Sequence, residues 1–218
     1  MGIIKQGILG GFSNKVGTVI GSSWKGIAVM RSMPQSVANP RTAAQVENRG
    51  KFGQITKLGT QILSSVIQPN FNLQAKRMSG YNLWCKINRD LYDDKTAQQM
   101  AAAVVVAKGD LGNSDIQINY DPDNPYFTLS WDKDVKNPKD TNGDILEVVG
   151  LEIPTSATSL DSAVIKKIPL TRTTRDNELS DDIAFVPQQG YKAYAIAYFK
   201  SANGKEFSNS VVLPIVMS

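Results

Sequence analysis

The chain changes its local character within one stretch, residues 30–52, which reads MRSMPQSVANPRTAAQVENRGKF. Up to Arg31 the sequence is rich in glycine and has the patterning of β-strands. From Asn39 onwards it is typical of a helix start, because a proline fits a first helical turn and Thr42 with Gln45 fits a capping box. The stretch therefore joins a strand region to a helical region and decides the division of the fold.

Three arginines, Arg31, Arg41 and Arg49, lie within this connection. Burying an arginine is costly unless its guanidinium meets an acceptor on the same chain or on a partner. Trp24, in the strand region just before, supplies a large apolar anchor. We therefore predict that Trp24, Arg31, Arg41 and Arg49 are partner-docking residues. The simpler alternative is that the arginines bind the chain's own carbonyl groups.

Two strands, Val16–Ile20 and Trp24–Met30, are predicted about a Gly21-Ser22-Ser23 turn. An isolated hairpin is only marginally stable in water. This hairpin is therefore expected either to pack on the following helices or to contact another subunit. Residues 1–14, which precede it and are rich in glycine, are predicted to be irregular and to become ordered against a partner.

Apolar residues recur every three to four positions from Thr42 onwards and predict an amphipathic helix of about 25 residues that ends before Gln68-Pro69. The stripe that we expect in the core consists of Val46, Phe52, Ile55, Leu58, Ile62 and Val66. Ser79 is predicted to cap a second helix. The apolar face of that helix consists of Tyr81, Trp84, Ile87 and Leu91. We expect the two helices to pack as an antiparallel pair.

Patterning of β type dominates the chain after Lys95. Residues 1–95 are thus predicted to form a basic hairpin and helical anchor segment, and residues 96–218 a β-sandwich domain. Thr96 can cap a short helix, whereas Val104–Ala107 favours a strand. The further predicted strands are Ile116–Tyr120, Tyr126–Trp131, Ile145–Ile153, Ala163–Leu170, Ile183–Val186, Tyr191–Phe199 and Phe207–Ile215. This spacing favours an α+β fold in which an immunoglobulin-like or fibronectin-like antiparallel sandwich follows the helices.

Charge is distributed unevenly along the chain. Residues 1–92 contain twelve Lys or Arg against two Asp or Glu, a balance of +10, whereas residues 93–218 contain twelve against eighteen, a balance of −6. Such an asymmetry predicts two separate working surfaces. The basic half suits an acidic protein surface, or alternatively nucleic acid bound through its phosphates. We favour protein docking, because the sequence contains no helix-turn-helix or other sequence-reading module.

Residue types that common enzyme chemistry needs are missing. The chain has no histidine and a single cysteine, Cys85. Ser-His-Asp triads, His-activated cysteines and thiolate zinc sites are therefore excluded. Three aspartate pairs occur in the second half of the chain, at positions 121 and 123, 132 and 134, and 181 and 182. Turns between strands explain these pairs better than a calcium-binding site does. We expect no enzyme activity, no catalytic residue, no cofactor and no metal.

Targeting signals are also missing from the sequence. No run of 18 or more apolar residues is present, so we expect no transmembrane helix and no membrane partner. Lys5 interrupts the apolar N-terminal stretch and no cleavage-site pattern follows it, so we expect no signal peptide. The product is therefore expected to begin in a cytoplasm.

A set of short motifs is spread over most of the chain. It consists of Gly10-Gly11-Phe12-Ser13-Asn14-Lys15-Val16-Gly17, Trp24-Lys25-Gly26, Arg31, Asn39–Gln45, Tyr81-Asn82 and Ser208-Asn209-Ser210. In this set the chain resembles uncharacterised proteins of Bacteroidota and their phages. Similar Asn-Pro-x-Thr-x-x-Gln signatures occur in small structural proteins of tailed phages. The resemblance names no catalytic residue.

The resemblance implies a non-enzymatic structural protein of a tailed phage or prophage, with a role in head or tail assembly or decoration. Together with the charge asymmetry, it leads us to expect a basic N-terminal anchor with the β-sandwich facing outward. The expected partners are other virion structural proteins and further copies of the chain, in a virion assembled in the bacterial host cytoplasm. Two alternatives stay open: a nucleic-acid-binding protein that uses the basic half, and a bacterial surface binding module.

Overall fold

The computed structural model describes residues 2–3, 11–36, 39–92, 95–120, 127–132, 137–170, 174–176, 185 and 188–215. The chain forms two compact units, the N-terminal unit Met1–Val46 and the C-terminal unit Glu47–Ser218. The division that the sequence predicts near residue 95 falls inside the C-terminal unit. The reason is that the helices after residue 47 share one hydrophobic core with the strands that follow them.

The N-terminal unit is a four-stranded antiparallel sheet. Its strands are β1 (Gly2–Ile3), β2 (Asn14–Val16), β3 (Val19–Trp24) and β4 (Ile27–Ser32), in the order β1-β4-β3-β2. Lys25 and Gly26 form the turn between β3 and β4, with φ angles of 48° and 79°. Positive φ at both central residues is typical of the type I′ turn, which matches the twist of a hairpin.

Two predictions for this region are wrong. Gly21, Ser22 and Ser23 do not form a turn, since they pair with Met30, Val29 and Ala28 inside the β3–β4 ladder. The Lys25-Gly26 pair supplies the left-handed conformations that a two-residue turn needs. Gly2, Ile3 and Asn14 belong to strands rather than to an irregular arm. Residues 1 and 4–10 of that arm lie outside the described residues.

Helix α1 (Ala43–Gln61) begins where the capping signal predicts, and the Gln45 amide donates a hydrogen bond to Thr42 Oγ1 over 3.4 Å. A π-helical segment (Leu63–Ile67) and helix α2 (Gln68–Phe71) continue its path. The predicted end before Gln68 is therefore wrong. Pro69 lies in the first turn of α2, where the missing N–H of proline is tolerated.

Helices α3 (Gly80–Asn88) and α4 (Ala97–Ala101) also begin at their predicted caps. The Asn82 amide donates to Ser79 Oγ over 3.1 Å. Thr96 and its partner at the third helical position form a reciprocal capping box. Local capping chemistry is therefore sufficient to place both helix starts.

The segment Val104–Ala107, predicted as a strand, has no strand structure. Its backbone groups are bound by side chains instead. The Val105 amide donates to Asn88 Oδ1 over 2.9 Å, and the Val105 carbonyl accepts a hydrogen bond from Trp84 Nε1 over 2.8 Å. Helix α3 thus satisfies the polar groups that a neighbouring strand would otherwise bind.

The strands of the C-terminal unit agree with most of those predicted. They are β5 (Gln117–Tyr120), β6 (Phe127–Ser130), β7 (Ile145–Pro154), β8 (Val164–Ile168), β9 (Tyr191–Lys200) and β10 (Val211–Ile215). Antiparallel pairing gives a sheet of order β10-β9-β7-β8 and a separate β5–β6 hairpin. Of the predicted strand Ile183–Val186 only Phe185 is described, and it is buried. Gly204, with φ of 72°, lies in the predicted turn between β9 and β10.

The four-stranded sheet is covered on both faces. On one face, Leu151 of β7 and Tyr198 of β9 pack in the same core as Trp84 of α3. On the other face, Val148 and Phe199 pack against the β5–β6 hairpin. The predicted α+β class with a sandwich-like β region is confirmed, and the helices form a third layer on the sheet.

Candidate protein-docking surface

The N-terminal unit has almost no buried interior. Among its described residues from Gly11 to Val46, only Gly21 is buried, and every apolar side chain is partly or largely exposed. The hydrophobic core of the chain begins at Ile55, in the C-terminal unit. The exposed apolar side chains of this small sheet make it the candidate for a surface that another molecule covers.

Strand alternation places both apolar and basic residues on one face of this sheet. Ile20 and Trp24 of β3 share a face with Ile27, Val29 and Arg31 of β4, since alternate residues of a strand point to the same side. Lys15 of β2 is paired with Ile20 and joins them. We name the set Lys15, Ile20, Trp24, Ile27, Val29 and Arg31 the Trp24 face.

The Trp24 face combines apolar side chains with basic ones. Trp24 is 51 % exposed. Ile20, Ile27 and Val29 are half-buried, and Lys15 and Arg31 are exposed. Lys25 Nζ lies 5.9 Å from the centroid of the Trp24 ring, which is within the range of a cation–π contact. The face therefore combines a large amphipathic ring with positive charge.

The opposite face of the sheet is approached by the chain's own Gly11-Phe12 segment. A Cβ at Gly21 would lie 2.3 Å from the Phe12 carbonyl oxygen, and a Cβ at Gly11 would lie 2.7 Å from Cβ of Ala28. Real Cβ atoms do not approach other atoms so closely, so glycine is required at both positions. This packing accounts for part of the Gly10–Gly17 motif.

The electrostatics of the N-terminal unit are uniformly basic. Residues 1–46 contain five Lys or Arg and no Asp or Glu. Arg31 and Arg41 are exposed, and the side chain of neither forms a hydrogen bond or an ion pair within the described part of the chain. The alternative in which these two arginines bind the chain's own carbonyl groups therefore has no support among the described contacts.

The structure brings two of the four predicted docking residues together. Trp24 and Arg31 belong to the same face. Arg41 lies in the segment before α1, and Arg49 lies on α1 beyond the division between the units, exposed in both cases. The sequence prediction did not include the apolar neighbours Ile20, Ile27 and Val29, because their common face follows from the register of β3 and β4, which depends on the turn position.

The first half of α1 also differs from the prediction. Val46 and Phe52, expected in the core stripe, are 53 % and 55 % exposed. The first buried residue of the helix is Ile55. Periodicity alone does not tell whether an apolar stripe meets a partner in its own chain, and here only the second half of α1 does so.

A buried charge cluster in the C-terminal unit was not predicted at all. The Arg175 side chain is fully buried, and its Nη1 lies 3.3 Å from Asp140 Oδ2. Its Nε lies 3.3 Å from Asp144 Oδ2, which is an ion-pair distance without hydrogen-bond geometry. The guanidinium lies 4.1 Å from the centroid of the Phe199 ring. These partners belong to the chain itself, so the cluster is structural.

Other sites of possible chemistry add no candidate. Burial raises the pKa of the Cys85 thiol, which opposes a role as a nucleophile. Within the described ranges no three Asp, Glu, Cys or His residues are arranged to hold a metal ion. Asp132 is half-buried, whereas the other members of the predicted aspartate pairs lie outside those ranges. No described helix has the length and apolar character needed to cross a membrane.

A family model described as a family of unknown function (DUF6266) matches residues 11–213. No curated protein and no solved structure matches the chain. The matched range includes the described strands β2 to β4 of the N-terminal unit and most of the C-terminal unit.

Proposed function

The chain belongs to DUF6266, a family of unknown function, and from this premise we propose that it is a non-enzymatic structural protein of a tailed phage or prophage particle. It acts in head or tail assembly or decoration. The N-terminal unit is the anchor that docks on other virion structural proteins, and the sandwich-like region of the C-terminal unit faces outward. The partners include further copies of the chain.

The observation that carries this proposal is the Trp24 face on a sheet whose described residues, Gly21 apart, are not buried. Covering the exposed half of a tryptophan removes about 100 Å² of mostly apolar surface from water, which is worth about 2–3 kcal/mol. Three half-buried aliphatic residues lie on the same face and add to this gain. A partner that covers the face therefore stabilises the N-terminal unit and is itself bound.

The charge of the N-terminal unit defines the chemistry of the partner. Five basic residues without an acidic one favour an acidic protein surface. A guanidinium binds a carboxylate through two parallel hydrogen bonds, whereas an ammonium group acts as a point charge. Arg31 and Arg41 are the exposed guanidinium groups of the unit. The Asn39–Gln45 motif, which resembles a signature of small tailed-phage structural proteins, supports a virion as the setting.

Mass spectrometry of purified particles tests the proposal directly. We expect the chain in particles, and its presence in infected cells together with its absence from particles would overturn the proposal. Arg31→Lys and Arg41→Lys are each expected to reduce incorporation and to leave the melting temperature unchanged. The matched control is Arg89→Lys, an exposed arginine of the C-terminal unit. Unchanged incorporation with a lowered melting temperature would identify an internal clamp instead.

Nucleic-acid binding is the second candidate, favoured by the same basic unit and its exposed tryptophan. Aromatic side chains on a positively charged surface can stack with bases. A mobility-shift assay of the full chain at low and high salt separates the two candidates. Absence of retained DNA or RNA at low salt removes this alternative, because phosphate contacts are strongest there.

A further inference from the structure

The N-terminal unit and the acidic half of the chain have opposite charge. From this complementarity, and resting on the docking role proposed above, we infer that the Trp24 face binds the acidic half of a second copy of this chain. Copies then associate head to tail. Further copies of the chain are among the partners proposed above, and the Trp24 face and the acidic half are the two surfaces through which such copies bind each other.

Contact between two N-terminal units is opposed by charge. Each contributes five Lys or Arg and no Asp or Glu, so two Trp24 faces placed against each other would bring together like charges without a carboxylate between them. Residues 93–218 instead carry eighteen acidic groups against twelve basic groups. Like charges in contact are costly, and complementary ones favour the encounter. The observations therefore favour two different surfaces in each contact.

Two exposed carboxylates of the C-terminal unit are suited to this contact, Asp115 and Asp176. Asp115 follows Ser114, whose Oγ is bound by the buried Arg175, and Asp176 follows Arg175 directly. One buried guanidinium thus holds both loops in place. Carboxylates on fixed loops lose little freedom when they bind a guanidinium, which favours binding.

A contact between two different surfaces leaves one surface of each kind free at the ends of the assembly. Further copies can therefore be added, and the result is a closed ring or an open filament. Both forms suit a protein that occupies repeated positions in a phage head or tail. A dimer built from two identical surfaces would stop at two copies.

Sedimentation velocity on the purified, nuclease-treated full chain tests the inference. At low salt we expect species larger than a monomer, with association that weakens as salt is raised because exposed charges are screened. The basic-face variant is Lys15→Glu with Arg31→Glu, and the acidic-face variant is Asp115→Lys with Asp176→Lys. Each should associate at least about tenfold more weakly than the wild type. The milder pair Lys15→Gln with Arg31→Gln serves if the first variant does not fold.

Mixing the two variants gives the decisive result. Each retains the surface that the other has lost, so we expect the equimolar mixture to associate more strongly than either variant alone. Control variants with single charge reversals of the same kinds, Arg89→Glu and Asp161→Lys, lie at other exposed positions of the C-terminal unit and should associate like the wild type. A mixture that stays monomeric would overturn the inference.

The outcomes also separate this inference from the proposed function. A chain that is monomeric in solution at low salt but present in purified particles refutes the second copy as partner and leaves the virion role intact. A chain that associates head to tail but is absent from particles refutes the virion role alone. Association that disappears after nuclease treatment would show bridging by nucleic acid and overturn the inference.

Discussion

The six-membered ring of Trp84 lies against the backbone of Gly59, so closely that a Cβ at Gly59 would be 2.4 Å from Cζ3 of the indole. Trp84 is fully buried and stacks beside Tyr81, with ring centroids 6.4 Å apart. The contact joins α1 to α3 and fixes the second half of α1 in the core. The first half of the same helix has no comparable contact among the described residues.

We predict opposite effects of alanine at two glycines of α1. Gly59→Ala forces a methyl group into the Trp84 ring and should lower the free energy of unfolding by about 1–3 kcal/mol. Gly53→Ala meets open space and should raise it by about 0.5–1 kcal/mol, because glycine is a poor helix former. Chemical denaturation measures both. Equal effects of the two substitutions would contradict the close packing at Gly59.

Features that depend on neighbouring residues could be predicted from the sequence, and features that depend on distant contacts could not. The caps at Thr42, Ser79 and Thr96 were correct because a cap uses residues within one helical turn. The strands β7 and β9 were predicted as members of an antiparallel sandwich. Their sequences did not indicate that helices cover one face of the sheet, because an alternating pattern does not identify the covering layer.

The docking surface shows the same limit of sequence reasoning. Trp24 and Arg31 could be selected by residue type, yet their common face follows from the position of the turn. Lys25-Gly26 and Gly21-Ser22-Ser23 are both plausible turns by composition, and only the backbone conformation distinguishes them. The Arg175 cluster gave no signal, since Arg175 and its acceptor at Gly112 are separated by 63 positions.

Arg175 provides the second prediction. Arg175→Met keeps much of the side-chain volume but leaves two buried carboxylates, Asp140 and Asp144, without their cation. We expect a loss of about 3–5 kcal/mol in the free energy of unfolding, because an unpaired buried charge is poorly solvated. Lys139→Met removes the cation of an exposed pair with Asp110 and should have little effect. A loss as small as that of the control would show that the cluster adds no stability.

Glu147 provides a prediction about pH. Burial alone would raise its pKa, but hydrogen bonds from Lys167 and Tyr198, together with the charges of Lys167 and Lys200, hold that pKa below the ordinary value of 4.5. A lowered carboxyl pKa contributes stability above the unfolded pKa, and this stability is lost as the pH falls through the folded pKa. The contribution is therefore complete at neutral pH and disappears in acid.

Glu147→Gln should accordingly lower stability at pH 7 and make little difference near pH 3. The measurement is the free energy of unfolding of both proteins across this range, from chemical denaturation. Glu47→Gln is the control, because the pKa of Glu47 is also lowered by Lys51, but this group is fully exposed and its pair is screened by solvent. A difference at Glu147 that does not change with pH would contradict the ionic contribution.

The last prediction concerns Trp24. Trp84 is fully buried and Trp131 is half-buried with its Nε1 bound to the Arg175 carbonyl oxygen over 3.0 Å, so Trp24 is the tryptophan most open to a soluble quencher. We expect iodide to quench the monomer well and the assembled protein much less, because docking covers the Trp24 ring. Trp24→Phe should remove most of this difference.

Trp24→Ala tests the energetic side of the same contact. Losing about 2–3 kcal/mol of apolar burial should weaken association about 30- to 150-fold. The melting transition of the C-terminal unit should not change, since the core of that unit begins at Ile55. Leu73→Ala removes an apolar side chain that is 65 % exposed in the C-terminal unit and is the matched control. Equal association of Trp24→Ala and wild type would exclude the Trp24 face as the docking surface.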